Sequence, residues 1–366
     1  MKVTIARGAL LEALSAASRG LSSRTTLPIL SGIHITAAGS SLTLQATDLE
    51  VSIKTACEAR VDEGGVAVVP GKILTDIVRS LPDAAVTIEA TTTGSASVSC
   101  GQSAFSLKTL AADDYPKFPD VTPAEAIELP TSTFTTMVHQ VAKAVSRDET
   151  RPILTGVLMV TEPGTLRMAA TDSYRLCVRE LPVPGLLTEM EVVVPGKALE
   201  DASKLAAAVE TFTFGVSENQ VIFTFGQTTF ISRRIEGTFP NYKQLIPKEH
   251  TTRIVIDRNE LFEAVKRVSV MVQHNTPLRL KADIATHTLT LSASTQGLGD
   301  AAEDIQVTPE GEDVEIAFNH GYLVDGVAVM DCETVAIEVT SPLKPGVLKP
   351  SDDDDFIYLL MPVRLS

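Results

Sequence analysis

Apolar residues recur along the chain with two spacings, which separate predicted helices from predicted strands. Spacings of three and four residues in LLEALSAAS, FTTMVHQVAKAV and LFEAVKRVSVMV predict amphipathic helices over 7–19, 133–147 and 257–272. Asp257 with Glu260 resembles a capping box at the start of the third of these helices. A Pro-Gly-Lys element, or in the last case Phe-Asn-His-Gly, precedes a second predicted helix in each region, over 71–81, 197–209 and 321–330. Strict alternation in SLTLQA, VTIEA, FTFGV, VIFTFG, TLTLSA and VAIEVT predicts strands joined by Gly, Asn and Asp turns.

The chain repeats its own landmarks at a period close to 124 residues. Pro28 in Leu-Pro-Ile-Leu returns as Pro152 in Arg-Pro-Ile-Leu, and Thr47-Asp48 returns as Thr171-Asp172. Phe-Pro at 118–119 and 239–240, followed by Met-Pro at 361–362, closes each copy. A period this long is too long for a solenoid repeat, so each copy is predicted to be a domain with its own core. The predicted domains are 1–122, 127–247 and 252–366, each an α+β unit of two helices packed on antiparallel sheets.

Composition places the chain among cytoplasmic globular proteins. The sequence is 44% hydrophobic, lacks an apolar run long enough to cross a membrane and has four widely spaced cysteines, which we interpret as reduced thiols. Acidic residues outnumber basic residues 46 to 31, and the net charge is −15. At first sight this charge excludes a nucleic-acid partner.

The charge is unevenly divided between predicted helices and the rest of the chain. The six helices carry a formal charge of +3, so −18 remains for strands and loops. If the helices line one surface and the sheets face outward, only the helical side tolerates a polyanion. The alternative is that the helical bases are ordinary solvated residues.

No pattern for enzymatic chemistry stands out. The six histidines share no ligand spacing, no Gly-rich phosphate loop is present, and Gly-x-Gly at 297–299 is typical of a turn. The acidic run 352–355 either binds a divalent cation or forms a solvated loop, and we favour the loop. We expect no catalytic residues, no cofactor and no metal.

Several motifs together resemble the bacterial DNA polymerase III β subunit family, the β sliding clamps. They are the threefold repeat, Arg24 with Leu-Pro-Ile-Leu, Thr-Asp-Ser-Tyr-Arg-Leu at 171–176, Phe-Pro-Asn-Tyr at 239–242 and Met-Pro-Val-Arg-Leu at 361–365. The resemblance covers essentially the whole chain. It implies a head-to-tail homodimer whose six domains form a ring, with helices inside and sheets outside.

The implied ring is consistent with the size of DNA. Twelve helices at a spacing of about 10 Å have a circumference of about 120 Å, which leaves a bore of about 28 Å. A duplex about 20 Å across fits with a layer of water. The resemblance implies sequence-independent DNA binding and a processivity role for DNA polymerase III, with a clamp loader ATPase and repair proteins as further partners. The alternative from composition alone is an acidic oligomeric scaffold that does not encircle DNA.

The resemblance and the helix positions together give three sets of candidate residues. Candidate DNA contacts are Arg24, Lys72, Arg79, Lys143, Arg147, Arg151, Lys197, Lys204, Lys266, Arg267 and Arg279. Of these, Arg24, Arg151 and Arg279 are expected in loops at corresponding positions of the three copies. A pocket for short partner peptides is expected at Leu154, Thr171, Tyr174, Arg175, Leu176, Pro240, Leu245, Pro345, Met361, Pro362, Val363, Arg364 and Leu365. The dimer interface is expected at Phe105, Leu107, Val270 and Met271.

Two points remain open within these sets. Ordinary core packing is the alternative for Leu154, Leu176 and Met361. Tyr174 stands where other members often have His, and Gln244 where some have Arg, so peptide preference is expected to differ.

Overall fold

A computed structural model describes residues 1–22, 26–91, 94–273 and 276–364. The first third of the chain contains β1 (Lys2–Ala6), α1 (Arg7–Ala17), β2 (Gly32–Ala38), β3 (Ser41–Thr47), β4 (Val51–Glu58), β5 (Arg60–Glu63), β6 (Gly65–Pro70), α2 (Gly71–Ser80), β7 (Ala85–Ala90), β8 (Ser95–Cys100) and β9 (Ser103–Lys108).

In its described residues, the second third repeats this order but has no strand corresponding to β5. Its elements are β10 (Glu125–Pro130), α3 (Thr131–Val141), β11 (Gly156–Glu162), β12 (Thr165–Thr171), β13 (Arg175–Pro182), β14 (Met190–Pro195), α4 (Gly196–Ala206), β15 (Thr211–Val216), β16 (Gln220–Phe225) and β17 (Thr228–Arg233).

The last third has the same order as the first, with β22 in the place of β5. Its elements are β18 (Thr252–Asp257), α5 (Arg258–Ser269), β19 (Leu278–Asp283), β20 (Thr288–Thr295), β21 (Gly299–Gln306), β22 (Thr308–Gly311), β23 (Val314–Phe318), α6 (His320–Ala328), β24 (Thr334–Val339), β25 (Gly346–Pro350) and β26 (Phe356–Leu360).

Each third builds two antiparallel four-stranded sets with one topology. One set has the order β6-β2-β3-β4, and its counterparts are β14-β11-β12-β13 and β23-β19-β20-β21. The other has the order β1-β7-β8-β9, and its counterparts are β10-β15-β16-β17 and β18-β24-β25-β26. The sequence repeat is therefore a structural repeat, and the three α+β domains predicted from it are present.

Neighbouring thirds share sheets at two places, which we call junctions. At the first junction β4 pairs antiparallel with β17, and at the second β13 pairs antiparallel with β26. These pairings create an eight-stranded and a nine-stranded sheet, while a five-stranded sheet ending in β9 and a four-stranded sheet ending in β21 stay separate.

Because strands of neighbouring thirds pair, the chain forms two compact units rather than three. Unit 1 comprises Met1–Thr135 with Ala198–Arg234, and unit 2 comprises Thr136–Lys197 with Ile235–Ser366. In unit 1, the apolar faces of α1 and α2 pack between the two sheets of the first third, around Leu10, Leu14 and Leu74. In unit 2, a second apolar layer covers the nine-stranded sheet, where Phe239 and Tyr242 pack on Leu176.

The helix starts follow from local chemistry. Asp257 caps α5 by accepting a hydrogen bond from the Glu260 amide at 2.8 Å, as the sequence predicts. Gly71 opens α2 where a Cβ would lie 2.6 Å from Leu21 Cδ1 and 2.8 Å from Ile33 Cγ1. Glycine in the Pro-Gly-Lys element therefore allows the helix to start against the sheet.

Three sequence predictions need correction. The helix predicted over 133–147 starts at Thr131 and ends at Val141, followed by a 3₁₀ turn to Ala144, because the backbone turns extended at Val145. Arg147 therefore lies in a loop. Arg279, expected in a loop, lies on β19, where alternate burial of Leu278, Leu280 and Ala282 favours a strand.

Candidate functional site

A tightly hydrogen-bonded turn in unit 2 joins β12 to β13. The Thr171 hydroxyl donates to the Arg175 carbonyl at 2.7 Å, and Asp172 Oδ1 accepts from the amides of Tyr174 and Arg175 at 2.9 and 3.0 Å. Ser173 adopts a left-handed φ of 80°. The Thr-Asp motif thus fixes the backbone on which Tyr174 is displayed.

The same turn occurs in unit 1, which explains the repeated Thr-Asp pair. The Thr47 hydroxyl donates to the Val51 carbonyl at 2.8 Å, Asp48 Oδ1 accepts from the Val51 amide at 2.7 Å, and Leu49 has a φ of 78°. The fifth residue differs: Val51 in unit 1 is Arg175 in unit 2.

Apolar side chains beside the unit 2 turn form the floor of a candidate peptide slot. Leu176 is fully buried against Phe239 and Tyr242, and Leu154 is buried in the 3₁₀ turn Pro152–Thr155. That turn is held near Ser173, because Arg151 Nη1 donates to the Ser173 hydroxyl at 3.1 Å. Leu154 and Leu176 are therefore core residues as well as candidate slot residues.

Two exposed apolar side chains lie at the turn itself. Tyr174 is 60% exposed and Met361 is 40% exposed, and the Met361 amide donates to the Tyr174 carbonyl at 2.9 Å. The Val363 amide donates a hydrogen bond to the Ala317 carbonyl at 2.8 Å, which fixes this residue on β23. The other predicted members are buried Thr171, exposed Pro240, Leu245 and Arg364, half-buried Pro345 and Pro362, and Leu365, which lies outside the described residues.

Arg175 differs from the other candidate slot residues because its side chain points behind the turn. It is only 8% exposed, and its Nη2 donates to the Lys143 carbonyl at 2.6 Å while Nη1 donates to Asp325 at 2.6 Å. Burial opposes its charge, but Tyr358, Asp325 and Asp172 favour the charge and together raise the pKa of the guanidinium. Burial likewise raises the pKa of the Tyr358 phenol.

Two residues that the sequence reasoning did not select complete the arrangement. The Tyr322 ring stacks on Tyr174 with centroids 6.5 Å apart, and Tyr358 donates its hydroxyl to the Tyr322 carbonyl at 2.9 Å. Both lie about 150 residues or more beyond the turn. No local spacing could have identified them.

The candidate DNA contacts lie mostly on exposed helix or loop positions. Lys72 and Arg79 lie on the outward face of α2, opposite buried Leu74 and Val78. The remaining exposed candidates are Lys143, Arg147, Arg151, Lys197, Lys204, Lys266, Arg267 and Arg279. Arg24 lies outside the described residues.

Several of these cations are already paired with carboxylates. Arg79 pairs with Asp76 at 3.0 Å, Arg151 with Asp148 at 3.2 Å, and Lys266 with Glu263 at 2.9 Å. Arg267 pairs with Glu303 through two nitrogens, with Nε 3.0 Å from Oε2, whereas Lys204 lies 3.9 Å from Asp201 and Arg279 lies 3.7 Å from Glu315. Across the described ranges no ion pair involves Lys72, Lys143 or Arg147, so their charges are the most available to a polyanion.

Two arginines counted in the helical charge have structural partners instead. Arg7 donates to the Val78 and Arg79 carbonyls at the end of α2, and Arg258 donates to the Val327 and Ala328 carbonyls at the end of α6. They satisfy helix C-termini, where a cation is also favoured by the helix dipole.

The predicted interface residues lie near the two unshared sheet ends. Phe105 and Leu107 are on β9, and Phe105 is 37% exposed. Val270 is 78% exposed just after α5, and half-buried Met271 follows it.

The acidic run 352–355 is used in ion pairs. Asp353 pairs with Arg179 and Asp354 pairs with Lys349. In the part of the chain that the structure describes, no group of three or more His, Cys, Asp or Glu side chains is arranged to hold a metal ion. No described helix is long and apolar enough to cross a membrane.

Three successive copies of a domain with two helices and two antiparallel sheets, joined by shared sheets, define a clamp-type protein of DNA replication. Family models agree: the N-terminal, central and C-terminal domains of the DNA polymerase III beta subunit match residues 1–119, 128–241 and 243–364. A beta sliding clamp from Streptomyces coelicolor is 36% identical over the full length of both chains.

Solved structures give the same result. A DNA polymerase sliding clamp from Bacillus subtilis has a TM-score of 0.94 at 30% identity, with full coverage of both chains. A sliding clamp from Pseudomonas aeruginosa bound to griselimycin has a TM-score of 0.93 at 29% identity, again with full coverage. This chain therefore belongs to the DNA polymerase III beta subunit family, the beta sliding clamps. No comparison favours the acidic scaffold.

Proposed function

We propose that two copies of this chain close head-to-tail into a ring of six domains that encircles duplex DNA and tethers DNA polymerase III. The domains would be 1–122, 127–247 and 252–366. The ring acts by topology, without catalytic residues of its own, in the cytoplasm on nucleoid DNA. Family membership and the pattern of the junctions support this proposal.

The junction pattern is the observation that carries the proposal. At each junction in the chain, a strand equivalent to β9 pairs with a strand equivalent to β4 from the preceding third: β17 pairs with β4, and β26 pairs with β13. Of the six described strands in these two equivalent positions, only β9 and β21 lie at the edge of a sheet. Pairing β9 of one copy with β21 of another repeats the junction, and doing so twice closes a dimer.

Equivalence also predicts the register of this third junction. Phe230 pairs with Ile53 at the first junction, and Tyr358 pairs with Cys177 at the second. Phe105 occupies the corresponding position in β9. It pairs with Val98 as Phe230 pairs with Phe223 and as Tyr358 pairs with Leu348, and these three partners hold equivalent positions in their sheets. The corresponding position in β21 is Ala301, so we expect Phe105 to pair with Ala301 of the other copy.

Cysteine cross-linking tests this register. Ala104→Cys and Ala302→Cys in one chain place exposed cysteines on directly paired residues, at a Cα distance of about 5 Å that suits a disulfide. Oxidation is expected to give a doubly linked dimer. Ala104→Cys with Gln306→Cys, displaced by four residues or about 13 Å, is the control. Equal linking in both pairs contradicts the register.

Helix position adds a further argument for the interface. Arg19, which follows α1, pairs across the first junction with Asp201 on α4 at 3.3 Å. Val270 holds the corresponding position after α5, twelve residues from Arg258 as Arg19 is from Arg7. Val270 is thus expected to lie at the junction between copies, with Met271 beside it.

DNA binding is expected to rest on phosphate contacts, so it is independent of sequence and sensitive to salt. Lys72→Ala, Lys143→Ala and Arg147→Ala should each weaken binding and reduce the magnitude of the salt slope by about 1. Arg60→Ala, an exposed strand base paired with Asp62, is the matched control. Arg279 on β19 should contribute least.

The slot is proposed to receive short peptides from the polymerase, the clamp loader and other replication and repair proteins. Its buried floor and exposed aromatic and methionine rim provide an apolar site that adapts to several partners. We further propose that griselimycin occupies this slot.

Retention on DNA is the test of the whole proposal. The chain, whose dimer is expected to have a mass of about 78 kDa from two 39.0 kDa protomers, is loaded by its clamp loader onto nicked circles. A ring survives a high-salt wash on circles and is lost once the circles are cut. A scaffold that does not encircle DNA leaves both forms at high salt, and that result would overturn the proposal.

A further inference from the structure

The Arg175 guanidinium connects four segments of unit 2 behind the candidate slot. It donates from Nε to Asp172 at 3.1 Å, from Nη1 to Asp325 at 2.6 Å and to Tyr358 at 3.2 Å, and from Nη2 to the Lys143 carbonyl at 2.6 Å. The turn, the end of the segment after α3, helix α6 and strand β26 are therefore joined by one side chain. Charged hydrogen bonds of this kind are short and directional, so the connection is stiff.

The connection reaches the slot rim through aromatic rings. The guanidinium lies over the Tyr322 ring, 4.5 Å from its centroid, and Tyr322 stacks on Tyr174. Because Tyr174 is also the acceptor for the Met361 amide, both rim residues depend on how the turn is held.

The equivalent position in unit 1 shows that the turn itself does not need an arginine. The Thr47–Val51 turn makes the same backbone bonds with Val51. There Asp201, the counterpart of Asp325, receives Arg19 instead. In unit 2 the residue at the Arg19 position is Lys143, whose carbonyl accepts from Arg175.

We propose that Arg175 is a positioning residue for the peptide slot: it locks the turn to α6 and thereby fixes Tyr174 and Met361 for the bound peptide without touching it. This inference rests on the proposed function of the slot. The two turns make matching backbone hydrogen bonds, but only the unit 2 turn has Arg175. Its bond to Asp325 attaches that turn to α6 and makes it a rigid edge for peptide binding.

The test compares Arg175→Met with Arg179→Met. Arg179 lies on the same strand and face and is equally buried, but its partner is Asp353, so it is a matched control for lost stability. Griselimycin affinity, measured by calorimetry, is expected to fall about tenfold or more in Arg175→Met, because several charged hydrogen bonds are lost. It should change less than twofold in Arg179→Met.

A spectroscopic readout separates positioning from general damage. The chain has five tyrosines, so fluorotyrosine labelling gives few ¹⁹F signals, which Tyr→Phe variants assign. Those of Tyr174 and Tyr322 should shift in Arg175→Met and stay in place in Arg179→Met. Arg175→Lys, which keeps the charge, should restore part of the affinity, and Asp325→Asn tests the same link if Arg175→Met fails to fold.

The outcomes are distinguishable. Unchanged affinity in Arg175→Met, or an equal loss in Arg179→Met, overturns the inference. If the wild-type chain does not bind griselimycin, the proposed slot ligand is wrong. The fluorine shifts then still decide whether Arg175 holds Tyr174.

Discussion

Val270→Ala provides a quantitative test of ring closure. In the single chain Val270 is 78% exposed, so truncating it removes little packing from the protomer. Removing two methyl groups from a buried contact costs about 1.6 kcal/mol at about 0.8 kcal/mol per group. A closed dimer has two identical interfaces, so each substitution counts twice and the total is about 3 kcal/mol.

The two values correspond to different dissociation constants. One interface predicts a Kd about 15-fold weaker, whereas two interfaces predict a Kd about 200-fold weaker. Sedimentation equilibrium over a concentration series of wild-type and variant chains measures the ratio directly. Leu343→Ala is the control, because Leu343 is 74% exposed but lies outside both β9 and the α5–β21 region.

The size of the change decides between three cases. A change near 200-fold supports a closed ring, and one near 15-fold refutes closure while keeping the contact. An unchanged Kd, or an equal change in Leu343→Ala, would refute the placement of Val270 at the interface. Thermal unfolding of the two variants as monomers should be alike.

Three further predictions concern the folded protomer. In Gly326→Ala the new Cβ would lie 2.4 Å from Tyr358 Cε1, which should lower the free energy of unfolding by about 1–3 kcal/mol, partly offset by the higher helix propensity of alanine. Urea unfolding should show that this loss is smaller in the Tyr358→Leu background. Burial lowers the pKa of His34, so the unfolded chain binds the proton more readily below about pH 6.5 and stability falls as pH drops. His34→Gln should flatten the difference in urea midpoint between pH 7 and pH 5, and an unchanged difference would contradict this. Gly297→Ala should destabilise by about 1 kcal/mol in urea unfolding, because φ is 80° and no atom lies within 4 Å of the new Cβ, so that only backbone strain is involved.

The sequence predicted the elements well wherever local periodicity and capping decided them. The helices after β1 and β18, the strands around VTIEA and FTFGV, and the Asp257 cap follow from spacing alone. Arg279 was misplaced because one alternation of Leu278, Leu280 and Ala282 is too short to distinguish from a loop without its sheet neighbours.

The candidate slot was predictable only in part. Thr171 and Tyr174 follow from a visible motif, but the role of Arg175 depends on Tyr322, Asp325 and Tyr358, which the sheet and α6 bring from far along the chain. A guanidinium that points behind a turn and one that points into a slot have the same sequence signature. Side-chain direction on β13 separates them, because odd positions face the helices and even positions such as Leu176 face the Phe239 layer.

The two junctions within the chain indicate why the proposed ring would open between copies. The aspartate at the sixth position of the second helix is Asp201 or Asp325 at the junctions within the chain, and each receives an arginine from the neighbouring third. Its counterpart Asp76 is more exposed and pairs with Arg79 on its own helix at 3.0 Å. The proposed junction between copies would therefore use Val270 without leaving a buried carboxylate unpaired, and separation would expose apolar surface while creating no isolated buried charge. Opening there would cost apolar contacts, whereas separating either junction within the chain would also break an ion pair between an aspartate and an arginine of the neighbouring third.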